Sequence, residues 1–272
     1  MRLLIFGLGY TATRIAAQVR AGGGAVMATG GTGDLAFDDD AGVRAAIAAA
    51  THVLSSVPPD DAGDPVLARY GDALNGRWLG YLSSTGVYGD ARGAWVDESA
   101  PIAGRRANRN AADTAWLARG ARVFRLPGIY GPGRSPIDRV REGKAHRTGL
   151  PDQVFSRVHV DDIARGVVAA FDAPAGAYNL ADDLPANQDD VATYAAALLG
   201  LPAPPLVALA DLSPMARAFY AENRRVSNLK AKRVLGWRPR YPDYRLGLRA
   251  VSAITSPNIA SPAPAAASSD QR

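Results

Sequence analysis

The 272-residue chain contains no cysteine, which excludes disulfides, thiolate metal centres and a cysteine nucleophile. Histidine is scarce, with three copies and no H-x-x-x-H spacing, so the sequence offers no metal site. Long apolar runs are missing too. None approaches the roughly 20 residues of a membrane span, and "MRLLIFGLGY" has only a short apolar run before its first glycine, too short for the core of a signal peptide. These absences lead to the expectation of a soluble, cytoplasmic protein with no membrane partner. There is little lysine, and the formal charge of +5 comes from scattered arginines. A pI near 9.6 invites a nucleic-acid reading, but no basic stripe interleaved with aromatics appears, so no nucleic-acid partner is expected. No internal repeat is visible.

What is present is a hydrophobic content of 47% with 21% charged residues, ample for the core of a soluble protein. Short β-rich runs alternate with alanine-rich helical runs, the pattern of a parallel sheet covered on both faces. Strands are predicted over 3–6, 25–29, 35–37, 52–57, 78–84 and 122–126, with helices over 11–21, from 39 onward, around 66–74 and up to 119. From residue 131 the rhythm changes. A glycine/proline loop precedes a helix, "FSRVHVDDIARGVVAAF" gives a strand and a helix capped by Asp161, "AYNLA" gives a strand, and "NQDDVATYAAALLG" gives a helix ended by Gly200. The proline-rich 201–209 segment reads as an extended connection. Residues 255–272 are low-complexity and expected to be disordered.

"FGLGYTATRIA" places Gly7 and Gly9 directly after the first strand and before a helix. The first glycine permits a sharp turn, the second lets backbone approach a pyrophosphate, and the helix start supplies free N–H groups and positive dipole. The third glycine of the usual pattern is Ala12. The second strand ends in Thr29-Gly30-Gly31-Thr32, without the acid that would bind the ribose diol of NAD. With Arg14 placed to reach a phosphate, the reading favours NADP over NAD.

The motifs "FGLGYTATRIA", "YLSSTGVYGD", "VDESAP", "RLPGIYGPGRS", "VHVDDIA" and "KRVLGWRPRY" together resemble the extended short-chain dehydrogenase/reductase family, the NAD-dependent epimerase/dehydratase type, over residues 1 to about 250. The resemblance implies a Rossmann-type α/β fold, a doubly wound parallel sheet with a small, mostly helical C-terminal substrate lobe. The core would span 1–130 and the lobe 131–254, interleaved with the last core elements. It further implies cofactor contacts from Gly7, Gly9, Tyr10, Thr11, Arg14, Thr29, Asp38 (the adenine-side acid), Ser55, Val57, Pro127 and Tyr130. Ser84, four residues before Tyr88 of the "VYG" element, would hydrogen-bond a substrate hydroxyl or carbonyl. Thr85-Gly86 stands where dehydratases of the family carry an acid pair, so Thr85 is assigned to substrate binding and dehydration is not expected.

The family's Tyr-x-x-x-Lys pair, in which the ammonium lowers the tyrosine pKa for proton transfer, is missing. One register puts Arg109 and Asp113 at its two positions, another Arg105 and Arg109. Arginine cannot surrender a proton near neutral pH, but it grips carboxylates and phosphates or stabilises an oxyanion. Arg105 and Arg109 are therefore candidates for holding an anionic substrate group, with Ser84, Tyr88 and Arg109 as the catalytic set and Tyr88 as the nearest proton donor. The expected function is an NAD(P)-dependent oxidoreductase or epimerase-like enzyme acting by hydride transfer on a small, anionic or nucleotide-linked carbonyl or hydroxyl compound. The alternative is a catalytically silent NADP(H)-binding sensor. A homodimer is left open.

Overall fold

In the computed structural model, which describes residues 1–255, β1 (Arg2–Phe6) starts the chain and is buried on both faces. Leu3 and Ile5 point to one side and Leu4 and Phe6 to the other, as the period of two in a strand requires. Around it form α1 (Tyr10–Ala21), β2 (Ala25–Ala28), α2 (Asp40–Ala49), β3 (His52–Ser55), α3 (Pro65–Tyr70), β4 (Trp78–Ser84), β5 (Trp95–Val96), α4 (Ala107–Ala118) and β6 (Arg122–Leu126). Then follow β7 (Gly128–Tyr130), α5 (Pro136–Arg141), β8 (Val154–Phe155), β9 (Arg157–His159), α6 (Val160–Ala169), β10 (Gly176–Asn179), β11 (Ala186–Asn187) and α7 (Gln188–Leu198). The described chain ends with α8 (Pro214–Phe219), β12 (Arg225–Val226), α9 (Leu229–Leu235) and α10 (Tyr244–Thr255).

The main sheet has six strands in the order β10-β6-β4-β3-β1-β2, all parallel. It is Rossmann-type. Strand order reverses at β1, so a crevice opens between the carboxyl ends of β1 and β3, the place where such sheets bind ligands. One face is covered by α1 and α6, through Ile15, Val19, Ile163 and Val167. The other is covered by α2, α3 and α4, through Val43, Ile47, Tyr70 and Trp116. Trp116 stacks on Tyr81 at 5.5 Å between ring centroids, and its indole N–H donates to Asp64 at 2.8 Å. The ring therefore fills the core while its one polar atom keeps a partner.

A third cluster, built by Tyr130, Ile137, Val191, Tyr244, Leu248 and Val251, joins α5, α7 and α10. Three two-stranded pairings, β7 with β9, β8 with β11 and β5 with β12, stitch this part to the ends of the main strands.

Three sequence expectations change here. The strand predicted over 35–37 does not form, because Gly33 turns the chain so sharply that Asp34 accepts from the Ala28 amide at 2.8 Å. Leu35 then makes only an isolated bridge to Thr29, and Phe37 leaves the sheet to pack edge-on against Tyr70. The helix around 66–74 stops at Tyr70. The cap of α6 is His159, whose Nδ1 accepts from the Asp161 amide at 3.2 Å. The expected disordered tail lies outside the described residues from 256 on, and Thr255 closes α10.

Candidate functional site

A cleft of about 900 Å³ lies at the carboxyl ends of the parallel strands, between the main sheet and the α5–α7–α10 cluster. That volume matches a cofactor-sized site. Its floor begins at the turn between β1 and α1. Gly7 adopts φ +82°, which only glycine enters without strain; a Cβ there would also press on Val57 at 3.1 Å and Ser56 at 3.2 Å. Thr29 accepts from the Gly7 amide at 3.3 Å, and Ser56 donates to the Gly7 carbonyl at 2.5 Å. The turn is thus held from both flanking strands.

Gly9 has ordinary extended geometry and no protein atom within 4 Å of where a Cβ would be. Its glycine character is unexplained by packing but suits a ligand resting on bare backbone. It is the N-cap of α1 and provides no side-chain cap. The amides of Tyr10, Thr11 and Ala12, which line the cleft, have no hydrogen-bond acceptor among the described residues. Free amides at the positive end of a helix are an anion site. These residues fit the pyrophosphate of a dinucleotide.

The start of α4 opens on the same cleft. Its N-cap, Arg106, makes no side-chain capping bond, and Arg105, Arg106 and Arg109 all line the wall. Neither Arg106 nor Arg109 has an ion-pair partner among the described residues. Arg105 pairs through Nε with Glu222 at 3.1 Å, and Arg224 takes the other carboxylate oxygen at 2.7 Å. Arg134, from the loop before α5, lies with its guanidinium 5.7 Å from the Tyr10 ring centre. In all, seven arginines and three acids line the cleft, giving it a strongly positive field.

Ser84 and Thr85 stand at the end of β4, in the middle of the cleft. The Ser84 hydroxyl accepts from the Gly86 amide at 3.1 Å, so its own proton is free to donate to a ligand.

Of the sequence-predicted residues, Gly9, Tyr10, Thr11, Ser84, Thr85, Arg105, Arg109, Pro127 and Tyr130 line this cleft. Gly7, Thr29 and Val57 sit just behind and shape it. Three expectations fail on geometry. Tyr88 is buried, its hydroxyl donating to Asn179 at 2.7 Å and accepting from Arg125 at 3.1 Å, and burial pushes its pKa up to about 12. It is a structural group outside the cleft. Ser55 is fully buried, because alternation along β3 turns it inward and brings Ser56 to the cleft instead. Arg14 faces α6, 3.9 Å from Asp161. Asp38 is exposed ahead of α2, where its carbonyl takes a bond from Arg69, a position compatible with the adenine-side place expected for its carboxylate.

In the register that aligns Asp113 with the family lysine, that position is also structural. Asp113 is fully buried and holds Arg125 in a two-pronged grip at 2.7 and 3.1 Å, with Ser83 donating to it at 2.6 Å. Tyr130 presents backbone to the cleft while its buried hydroxyl packs beside Gly247; burial drives its pKa upward. His159 is pushed down to about 4 by burial and caps α6 as a neutral ring. Sequence reasoning missed Ser56, Arg134, Phe155, Phe219, Glu222 and Arg224. Strand alternation could have found Ser56, and Arg134 lies in the quoted "GPGRS" motif; Glu222 and Arg224 carry no local signal, since only folding brings them to α4.

Comparison with known proteins agrees with this fold. The chain is 43% identical to a conserved protein of unknown function from Silicibacter pomeroyi, covering 93% of this chain and 98% of that one with a TM-score of 0.83. It also superposes on a human epimerase family protein solved with NADPH (17% identity, 93% and 99% coverage, TM-score 0.73) and on a Bacillus anthracis dTDP-glucose 4,6-dehydratase solved with NAD (15%, 95% and 97%, TM-score 0.76). A Streptomyces 3-diazoavenalumate denitrifying reductase is 33% identical over 138 residues, 46% of this chain. The chain spans about half the length (45%) of that curated relative. No protein-family model matches. No helix among the described residues is long and apolar enough to cross a membrane.

Proposed function

The chain belongs to one family with the Silicibacter pomeroyi protein and has the fold of the NAD-dependent epimerases and dehydratases, and from that premise we propose that it is an NAD(P)-dependent oxidoreductase acting by hydride transfer on a small anionic compound. The observation that carries this reading is the convergence of two side-chain-uncapped helix starts, α1 and α4, on one cleft with Ser84 between them. The amides of Tyr10, Thr11 and Ala12 would hold the pyrophosphate, with Gly9 leaving room for it. Ser56, Pro127 and the Tyr130 backbone would border the ribose and nicotinamide.

The bound dinucleotide supplies a hydride donor or acceptor. Ser84 donates a hydrogen bond to the substrate oxygen, fixing it beside Thr85. Arg109 stabilises negative charge developing on that oxygen but cannot protonate it. With Tyr88 locked in the Arg125 network, the proton that balances hydride transfer to a carbonyl comes from water admitted to the cleft and relayed by the Ser84 hydroxyl. NADP is the preferred cofactor in this reading, because β2 is followed by Thr29-Gly30-Gly31-Thr32 and the nearest carboxylate, Asp34, is turned to the Ala28 amide. The reductase relative supports reduction as the direction.

NADPH and NADH fluorescence titrations followed by a panel of carbonyl substrates test the assignment. Ser84→Ala should lower turnover by about 10²- to 10³-fold with cofactor affinity unchanged; unchanged turnover removes Ser84 from the mechanism. The second reading, a silent NADP(H) sensor, is favoured by the engagement of Tyr88 away from the cleft. It predicts tight cofactor binding with no turnover on any member of the panel.

A further inference from the structure

The lobe end of the cleft combines two features the hydride chemistry does not use. One is an aromatic wall. Phe155 of β8 and Phe219 of α8 stack at 4.3 Å with an interplanar angle of 13°, Tyr220 closes edge-on against Phe155, and Phe219 remains 50% exposed although it lines the cleft. The other is the fork formed by Arg105 and Arg224 around the Glu222 carboxylate, one oxygen to each guanidinium. The two are neighbours in the fold, since Phe155 forms a parallel backbone bridge with Arg224 and both residues line the cleft.

We infer that this end of the cleft binds a planar aromatic or conjugated carboxylate, whose carboxylate displaces Glu222 from Arg105 and Arg224 and whose π-system extends the Phe155–Phe219 stack. Two arginines that already grip one carboxylate have the geometry to grip another. Glu222 and Arg224 have side chains only 13% and 16% exposed, so the exchange takes place where water screens charge weakly. In the free protein Glu222 keeps the two cations from facing each other unpaired. Arg105, the more exposed partner at 45%, is the side chain free to swing with the incoming ligand. A flat apolar ring covers the wet face of Phe219, which a sugar with its hydroxyls would not do as well. The inference rests on the preceding reading only in that hydride is to be exchanged with this ligand; the binding itself is separable from the cofactor.

The test is calorimetric titration of the full chain with trans-cinnamate, cyclohexanecarboxylate and UDP-glucose, each with and without saturating NADPH. Cinnamate should bind at least tenfold more tightly than cyclohexanecarboxylate. Glu222→Gln removes the competing carboxylate from Arg105 and from Arg224, which stays anchored on the Gly89 carbonyl at 2.7 Å, and should tighten cinnamate about tenfold. Phe219→Leu, at a half-exposed position where the fold is not at stake, should weaken cinnamate about fivefold and leave cyclohexanecarboxylate unchanged. Equal affinities for the two acids, a weaker cinnamate complex in Glu222→Gln, no response to Phe219→Leu, or binding of UDP-glucose without cinnamate would each overturn the inference. Cinnamate binding in a protein that ignores NADPH and NADH would overturn the cofactor reading alone; the reverse result would overturn this one alone.

Discussion

Among the described residues most helices close their own amino ends; two that face the cleft do not, and α9, away from it, is also uncapped by a side chain. Asp39 caps α2, Asp64 caps α3, Ser135 caps α5 in a reciprocal box with Asp138, His159 caps α6, Asn187 caps α7 and Ser213 caps α8. The starts of α1 and α4 lack such a side chain. A capping side chain contributes about 1 kcal/mol relative to alanine but only a few tenths relative to glycine, so leaving α1 open at Gly9 forgoes little stability at a point where the backbone is offered to a ligand. The two open ends differ in kind. At α1 the anion site is backbone amide and empty space, which suits a fixed phosphate geometry. At α4 it is arginine side chains, of which Arg105 is placed by Glu222 while Arg106 and Arg109 have no ion-pair partner among the described residues.

The largest expected effect lies just behind the open end of α4. Asp113→Ala leaves the Arg125 guanidinium buried without its counter-ion, and urea unfolding should show a loss of about 3–5 kcal/mol. A loss below about 1 kcal/mol would mean that the Asp113–Arg125 pair is not what fixes α4 to β6. Next comes closing the end of α1. Gly9 already has N-cap geometry, so Gly9→Asp should cap the helix and leave stability equal or higher by a few tenths of a kcal/mol. Its carboxylate would occupy the phosphate position, and NADPH affinity should fall at least ~100-fold, about 2.7 kcal/mol. Retained affinity with unchanged folding would remove the α1 start as the pyrophosphate site.

A capped helix gives the contrasting pH response. His159 has a folded-state pKa of about 4, below the roughly 6.5 of an unfolded chain. The unfolded state therefore takes up the proton first. Stability from this group is complete above about pH 6.5, declines as pH falls towards 4 because burial opposes charge on the ring, and is flat below, where both states carry the proton. Because the surroundings relax around a charge that forms in the interior, the decline should be about 2 kcal/mol, and it should vanish from the pH profile of His159→Asn. The smallest effect is at α2, where Asp39→Ala removes a bond to the Gly42 amide of 3.0 Å and should cost about 1 kcal/mol with cofactor affinity unchanged.

The glycine turn, the parallel strands and Ser84 were legible because each depends on a local rule: a positive φ after a strand, a period of two, a fixed spacing to the "VYG" element. The errors share a different cause. Tyr88 looked like a proton donor until Asn179, 91 residues on, and Arg125 claimed its hydroxyl. Ser55 was chosen over Ser56 because the sequence does not state which face of β3 meets the cleft. Arg14 was assigned to a phosphate without Asp161, which only the packing of α6 on α1 brings near. The Phe155–Phe219 wall carried no signal, since neither residue has a distinctive neighbour in the chain.

By itself, then, the sequence determined a cysteine-free, Rossmann-type chain with a bare glycine cradle at the head of α1 and no tyrosine–lysine pair on α4. These are properties of residue type and spacing, and local backbone energetics enforces them. The tertiary structure decided which polar groups are spent on one another and which face the cleft. That allocation turns on burial and on partners far apart in sequence: Asp113 and Arg125 are consumed in the interior, Glu222 bridges Arg105 and Arg224 across the wall, and Arg109 is left open to a ligand.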